Sequence, residues 1–292
     1  MLRLQDVTKV YKAGTFGRTH VPAVTEVSFD IAPGEVVSLI GESGSGKTTV
    51  GRMILGLTRP SAGAITCDGV DVASLQGRAL RRYYGAVQGV FQDPFSSYNP
   101  VFRVDRVFHM VRRPFLPELD DTEWRDRLRR SLEAVGLEPD DVLGKYPHQL
   151  SGGQLQRLLI ARALMLDLRF LVANEIISML DASTRIDVLN LLGDLRARGL
   201  GVLFVTHDLA LGNYISDRTI ILWRGRVVEV GATPKVFGDP RHPYTRMLLS
   251  SVPQLSARWE TTAVEPLEAG TELAGPLQPI DDDHAVAAWG SR

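Results

Sequence analysis

Gly41-Glu42-Ser43-Gly44-Ser45-Gly46-Lys47-Thr48 packs glycines, small hydroxyl residues, a lysine and a threonine into one short run. Small residues let the backbone bend until consecutive N–H groups point inward at phosphate oxygens. A helix starting near Lys47 would add the positive end of its dipole. In this pattern the lysine reaches the β- and γ-phosphates of a nucleotide and the Thr48 hydroxyl ligates Mg²⁺. Ser45, Gly46 and Thr49 are also expected near phosphate.

Leu150-Ser151-Gly152-Gly153-Gln154 is a second run with chemical potential. Ser151 and Gln154 have the spacing of a capping box, which any helix can use. A cap needs no glycine pair behind it, and two glycines weaken a helix, so the pair points to close backbone approach by a ligand. The chain therefore holds a second anion-binding helix start about 100 residues after the first.

The third run is LVANEIISMLD, residues 171–181. Glu175, at the end of an apolar strand, is a candidate for polarising an attacking water, since partial desolvation raises carboxylate basicity. Asn174 stands just before it, where a nucleotide-hydrolysing site would be expected to carry an aspartate.

These residues need rigid elements to hold them. Val36, Val37, Leu39 and Ile40 read as a buried parallel strand before the glycine loop. Val50, Met53, Ile54 and Leu57 fall at helical spacing after it. Phe170–Ala173 and Gly201–Thr206 read as further buried strands, with an amphipathic helix over 185–199 between them. Alternating strands and helices imply an α/β core with a parallel sheet. Residues 219–231 read as a hairpin turning at Arg224-Gly225. Residues 95–165 read as an inserted helical subdomain whose many charges form a solvated face. From about Ser256 seven acidic residues stand against Arg258 and Arg292 without a period, which reads as a flexible or loosely docked extension.

Composition narrows the class. The chain has 292 residues and a net charge of −1, which argues against a protein built to hold nucleic acid. One cysteine, Cys67, fits a reducing compartment. No apolar run reaches the roughly 18–20 residues of a membrane span, and the N-terminus lacks a signal-peptide core. A cytosolic chain is expected, with any membrane role supplied by a partner.

Taken together, the motifs resemble those of the ATP-binding subunits of ABC transporters. GESGSGKT resembles their Walker A loop, LSGGQ their signature, FLVANE their Walker B strand and Met179-Leu180-Asp181 their D-loop. Gln92, in VFQDPFSSYNP, resembles the Q-loop. His207, after GVLFVT, resembles the H-loop; alone, a histidine at a strand end is more often structural. Tyr11 stands in the place of the aromatic residue that stacks on adenine. FQDPFSSYNP, YPHQLSGGQ and GDPRHPYTRMLLSSVP are similar to the oligopeptide/dipeptide/nickel importer branch. Some members of that branch carry a C-terminal cysteine cluster, which this chain lacks, so no metal cluster is expected.

The resemblance implies a P-loop (RecA-like) α/β core with an N-terminal antiparallel β subdomain and the helical insertion. It implies a nucleotide-binding domain over 1–235, an importer-type extension over 236–255 and the acidic tail over 256–292. ATP and Mg²⁺ are the implied cofactors. Gly41, Ser43, Gly44, Ser45, Gly46, Lys47, Thr48 and Thr49 would hold phosphate on one chain, and Ser151, Gly152, Gly153, Gln154 and Asp181 would close the site of another. Glu175, His207 and Gln92 would carry the catalytic roles. Thr48 and Gln92 would hold Mg²⁺, with Asn174 in its outer shell. The implied partners are membrane permease subunits, a second, different ATPase subunit and, indirectly, an extracytoplasmic substrate-binding protein, with the chain peripheral on the cytoplasmic face. Asn174 and Ile176 replace the family's aspartate and proline, so hydrolysis at this chain's own site is expected to be weakened. Competing readings are a regulatory subunit without turnover, a soluble ABC ATPase acting on nucleic acid or ribosomes, and a P-loop kinase or GTPase.

Overall fold

The computed structural model describes residues 1–13, 19–251, 271–272 and 275–291. Two long strands, β1 (Leu2–Ala13) and β2 (Thr19–Ile31), open the chain as an antiparallel pair. β3 (Val36–Ile40), buried along its whole length, leads to α1 (Lys47–Ile54). β4 (Ala62–Cys67) and the short β5 (Val70–Asp71) return to the first sheet, giving the antiparallel order β2-β1-β4-β5. α2 (Gly77–Ala86) and β6 (Val87–Val90) then enter the second sheet.

Helices follow: α3 (Arg106–Phe115), α4 (Asp121–Glu133), α5 (Pro139–Val142) and α6 (Gly152–Leu164). Asp120 starts α4 with a capping box, its carboxylate accepting from the backbone of Thr122 and Glu123. The core half returns with β7 (Phe170–Asn174), α7 (Ala182–Ala197), β8 (Gly201–Thr206), α8 (Leu209–Ile215), β9 (Arg218–Trp223) and β10 (Arg226–Ala232). Arg224 and Gly225 both take positive φ, 44° and 82°, the backbone a two-residue hairpin turn demands. β3, β6, β7, β8 and β9 run parallel; β10 turns antiparallel. Both faces of this sheet are covered, so β7 and β8 read as unbroken apolar runs.

The C-terminal region departs from the sequence reading. α9 (Thr233–Gly238) and α10 (Pro243–Ser250) pack beside β9 and β10. β11 (Thr271–Glu272) pairs with β14 (Gly290–Ser291). β12 (Leu277–Asp281) and β13 (His284–Ala287) form a hairpin that joins β10, extending the sheet to the order β12-β13-β10-β9-β3-β8-β7-β6. From about Ser256 a flexible or loosely docked extension is expected. Instead His284 and Val286, on β13 itself, are buried, and Lys235 pairs with both Asp281 and Asp283. Lys235 draws the Asp281 carboxyl down to about 2. One lysine thus pairs with two of the tail's acidic residues. Over 256–270 the expectation of a flexible tail falls outside the described residues.

Candidate nucleotide-binding site

The parallel strands place the candidate residues at one edge. β3 ends at the glycine loop, β8 at His207, β7 at Asn174-Glu175, and β6 just before Gln92. In the order β3-β8-β7-β6 these are four neighbouring carboxyl ends, and such ends are where open α/β sheets bind ligands. Register aligns them: Ile40 pairs with Thr206, and Asn174 with Val205.

Close packing dictates two of the loop's glycines, Gly41 and Gly46. A Cβ on Gly41 would lie 2.2 Å from the Leu222 carbonyl oxygen and 2.7 Å from Ser45 Oγ. Gly46 has φ 108°, and a Cβ there would lie 2.5 Å from the Ala23 carbonyl oxygen. The loop is thus wedged against β2 and the end of β9. Gly225 N donates to the Ser45 carbonyl at 2.8 Å, adding a brace from the β9–β10 turn. Glu42, Ser43 and Gly44 face outward, while Thr48 and Thr49 are half-buried in the first turn of α1.

Lys47 is 3% exposed, and its Nζ donates to the carbonyls of Gly41 at 2.6 Å and Glu42 at 2.8 Å. Burial lowers its pKa, and the charges of Glu175 and then Glu42 oppose that shift. The ammonium therefore sits inside the curled loop, satisfied by carbonyls that a phosphate can replace.

Glu175 takes φ 53°, the left-handed region that non-glycine residues rarely adopt. Its N–H still donates to the Val205 carbonyl at 2.9 Å, which ties it to β8. The turn points its half-buried carboxylate toward His207, with Oε2 and Nδ1 3.6 Å apart. Strained backbone of this kind gathers at functional positions. Ile176 and Ile177 are buried directly behind it and anchor the turn. Asn174 is 6% exposed, and its Oδ1 has no hydrogen-bond partner; neither has the buried Ser45 Oγ. A buried acceptor without a donor costs about 1–3 kcal/mol.

The structure holds the run 151–154 on another element. Ser151 caps α6: its Oγ accepts from Gln154 N at 3.2 Å, and Gln154 Oε1 accepts from Ser151 N at 2.9 Å. Gly153 has an internal reason to be glycine beyond any ligand. A Cβ there would lie 2.3 Å from Thr184 Cγ2. Thr184 cannot turn away freely, because its N–H and Oγ1 both donate to Asp181. Asp181 also accepts from Ser183 Oγ, and these donors hold its carboxyl well below the usual range. The run 151–154 and Asp181 therefore form one packed unit. Gly153→Ala should cost about 1–3 kcal/mol in urea unfolding, the range for overpacking, and Thr184→Ser in the same chain should recover most of it. No loss in the single variant would mean α6 shifts without strain.

Tyr11 lies in the N-terminal sheet, 37% exposed, with Lys9 Nζ 5.2 Å from its ring centre. Gln92 is half-buried after β6. The sequence did not single out the residues behind it. Tyr98 donates its hydroxyl to the Leu155 carbonyl at 3.0 Å, and burial pushes its pKa far up, so it remains a donor. The fully buried Gln156 reaches the Phe91 carbonyl at 3.4 Å. Both join the segment around Gln92 to α6. A glutamine two residues past the capping box is unremarkable on a helix, so only its burial reveals it.

Residues 24–178 match the family profile described as ABC transporter, and residues 228–274 match the oligopeptide/dipeptide transporter C-terminal region. A Brucella ovis protein named for peptide import ATP binding is 49% identical over 254 residues, covering 87% of this chain and 78% of that protein. The chain belongs to the ABC transporter family. The Salmonella typhimurium oligopeptide transport ATP-binding protein OppF is 37% identical over 258 residues, covering 88% of this chain and 77% of its own length. Among solved structures, the ATP-binding cassette MJ0796, in a dimeric post-hydrolysis state bound to ADP and Pi, superposes with a TM-score of 0.71. It is 30% identical, covering 80% of this chain and 99% of that one. As an ABC-family ATPase the chain couples ATP hydrolysis to transport. No helix among the described residues is long and apolar enough to cross a membrane.

Proposed function

We propose that this chain is the ATP-binding subunit of a peptide-type ABC importer, acting beside a second, different ATPase subunit. The observation that carries the transport class is the joining of an ABC domain to the oligopeptide/dipeptide C-terminal region in one chain. Two such domains meeting head to tail would place ATP between the P-loop of one and residues 151–154 of the other. The outward-facing Glu42, Ser43 and Gly44 and the self-capped Ser151 support that reading, since each half is built and each is open.

ATP would sit on the loop 41–48, with Tyr11 against adenine. Mg²⁺, held by Thr48, Gln92 and the phosphates, would neutralise charge on the transferred phosphoryl group. The residues present fit a cation held mostly by phosphate: Asn174 Oδ1 and Ser45 Oγ are buried acceptors with no donor of their own. Glu175 would polarise the attacking water while His207 holds the γ-phosphate side. Gln92, tied to α6 through Tyr98 and Gln156, would report the γ-phosphate to the permease. Phe95, Val101, Phe102 and Met110, all exposed just beyond Gln92, offer the apolar surface that contact needs.

Asn174 gives the own site a weaker hold on Mg²⁺ than an aspartate would, because a neutral acceptor forms bonds about half as strong as a charged one. This also favours a second reading, a nucleotide-binding subunit with no turnover of its own. Affinity purification of the native complex should bring down permease subunits and an ATPase chain of different sequence. A complex holding two copies of this chain and hydrolysing ATP at full rate would overturn the paired arrangement.

A further inference from the structure

The nucleotide loop is held by the C-terminal extension through one side chain. Tyr244, on α10, has no exposed surface, and its hydroxyl accepts the N–H of Glu42 at 3.2 Å, 202 residues away. Glu42 is the second residue of the phosphate loop, and its carbonyl is one of the two that hold Lys47 Nζ. The Glu42 peptide units therefore face two ways: the N–H toward α10, the carbonyl toward the lysine that meets phosphate.

Tyr244 is itself fixed on every side. It packs in a cluster with Ile40, Leu209, Ile221, Val228, Val236 and Ala287, and its ring lies 6.0 Å from that of Trp223 at the end of β9. Its backbone N–H donates to His242 Nδ1 at 3.1 Å, so α10 is capped by the residue two before it. His242 N and Arg241 N in turn donate to the two carboxylate oxygens of Glu229, fully buried on β10. The His284 ring on β13 meets the same carboxylate at 2.8 Å. A continuous run of buried contacts thus joins the C-terminal hairpin, β10, α10 and the phosphate loop.

We propose that Tyr244 is a positioning residue of the ATP site, fixing the first turn of the phosphate loop so that Lys47 is presented to nucleotide. The proposal rests on ATP binding by this chain and is independent of what is transported. It gives the C-terminal extension a task inside the ATPase. The hydroxyl takes no part in the reaction: burial pushes its pKa up to about 12, so it stays protonated while accepting the amide. Because it holds the loop and touches no phosphate, its loss should weaken ATP and ADP alike.

Tyr244→Phe removes only the oxygen and keeps the ring in its cluster. In the full chain, equilibrium titration with fluorescent ATP and ADP should show both affinities falling by about three- to tenfold, the effect of one net hydrogen bond. Amide hydrogen exchange should speed up at Glu42. A second variant, Glu229→Gln, keeps the volume but loosens the start of α10, and should show the same faster exchange at Glu42 with a smaller loss of affinity. Unchanged nucleotide affinity and unchanged Glu42 exchange in Tyr244→Phe would overturn the proposal, as would a lowered melting temperature with both of those readings at native values. Native chain that binds neither nucleotide would instead defeat the ATPase reading.

Discussion

Lys47→Ala should lower ATP-Mg affinity by about 100-fold or more while the chain still folds. The native ammonium is nearly inaccessible to solvent and already donates to two carbonyls, so its place is fixed before nucleotide arrives. Hydrogen bonds to charged groups contribute about 1.5–3 kcal/mol each, and two phosphate contacts in a sheltered loop therefore account for two or more decades. Burial leaves this cation poorly hydrated and lowers its pKa, so little solvation is given up when phosphate replaces the carbonyls. Folding should survive because the glycine loop is wedged by Leu222, Ala23 and Gly225 without help from the lysine. The variant leaves the carbonyls of Gly41 and Glu42 short of one donor, but the exposed turn beside them lets water in. Isothermal titration with ATP-Mg and a thermal melt of the same sample check both halves. Native affinity in the variant would show that phosphate is held by the backbone alone.

Much of this site could be read from sequence because backbone geometry forces residue types. Gly41 and Gly46 stand where a Cβ would strike a carbonyl, and the Arg224-Gly225 turn needs two positive φ angles. The buried parallel strands were legible for a similar reason: covered on both faces, they become continuous apolar runs. What stayed hidden depends on pairs distant in sequence. Glu42 and Tyr244 are 202 residues apart, and Glu229 and His284 are 55 apart. Nothing local about a histidine after three aspartates marks it as buried. The hairpin at 277–287 escaped because its strands are short and two of its charges, Asp281 and Asp283, pair with Lys235, which belongs to another element. Gly153 was half-read. Its need for closeness was visible, but the neighbour inside the chain, Thr184, was set by the loop at Asp181.

Asn174→Asp should tighten Mg²⁺-dependent nucleotide binding at this chain's own site by about 10–100-fold and raise hydrolysis there, the span seen for changes next to a metal's direct ligands. The position is ready for an acceptor. It ends a buried strand in register with β8, and the native Oδ1 has no donor, so a carboxylate oxygen would displace no hydrogen bond. The exchange trades the amide's N–H donors for an acceptor and adds a charge, and beside a divalent cation both changes are favourable because the metal is the largest local charge. Without the cation the sign reverses. A new carboxylate at a position 6% exposed, one residue from Glu175, is desolvated and repelled by a like charge. The variant should therefore melt below the native chain in EDTA and gain more than it on addition of ATP-Mg. A lower start with a larger gain separates a metal effect from general stabilisation. Glu175 needs no repair: its turn is held by the Val205 carbonyl and by buried Ile176 and Ile177, and its carboxylate already faces His207. Turnover is read in the assembled complex with the second subunit's phosphate loop disabled, so that only this chain's site fires. An aspartate variant that binds ATP-Mg no more tightly and turns over no faster would leave the residue before Glu175 without influence on the metal. Nucleotide at this site would then serve to hold the two subunits together, and the reading as a subunit without turnover would stand in place of the weakened ATPase.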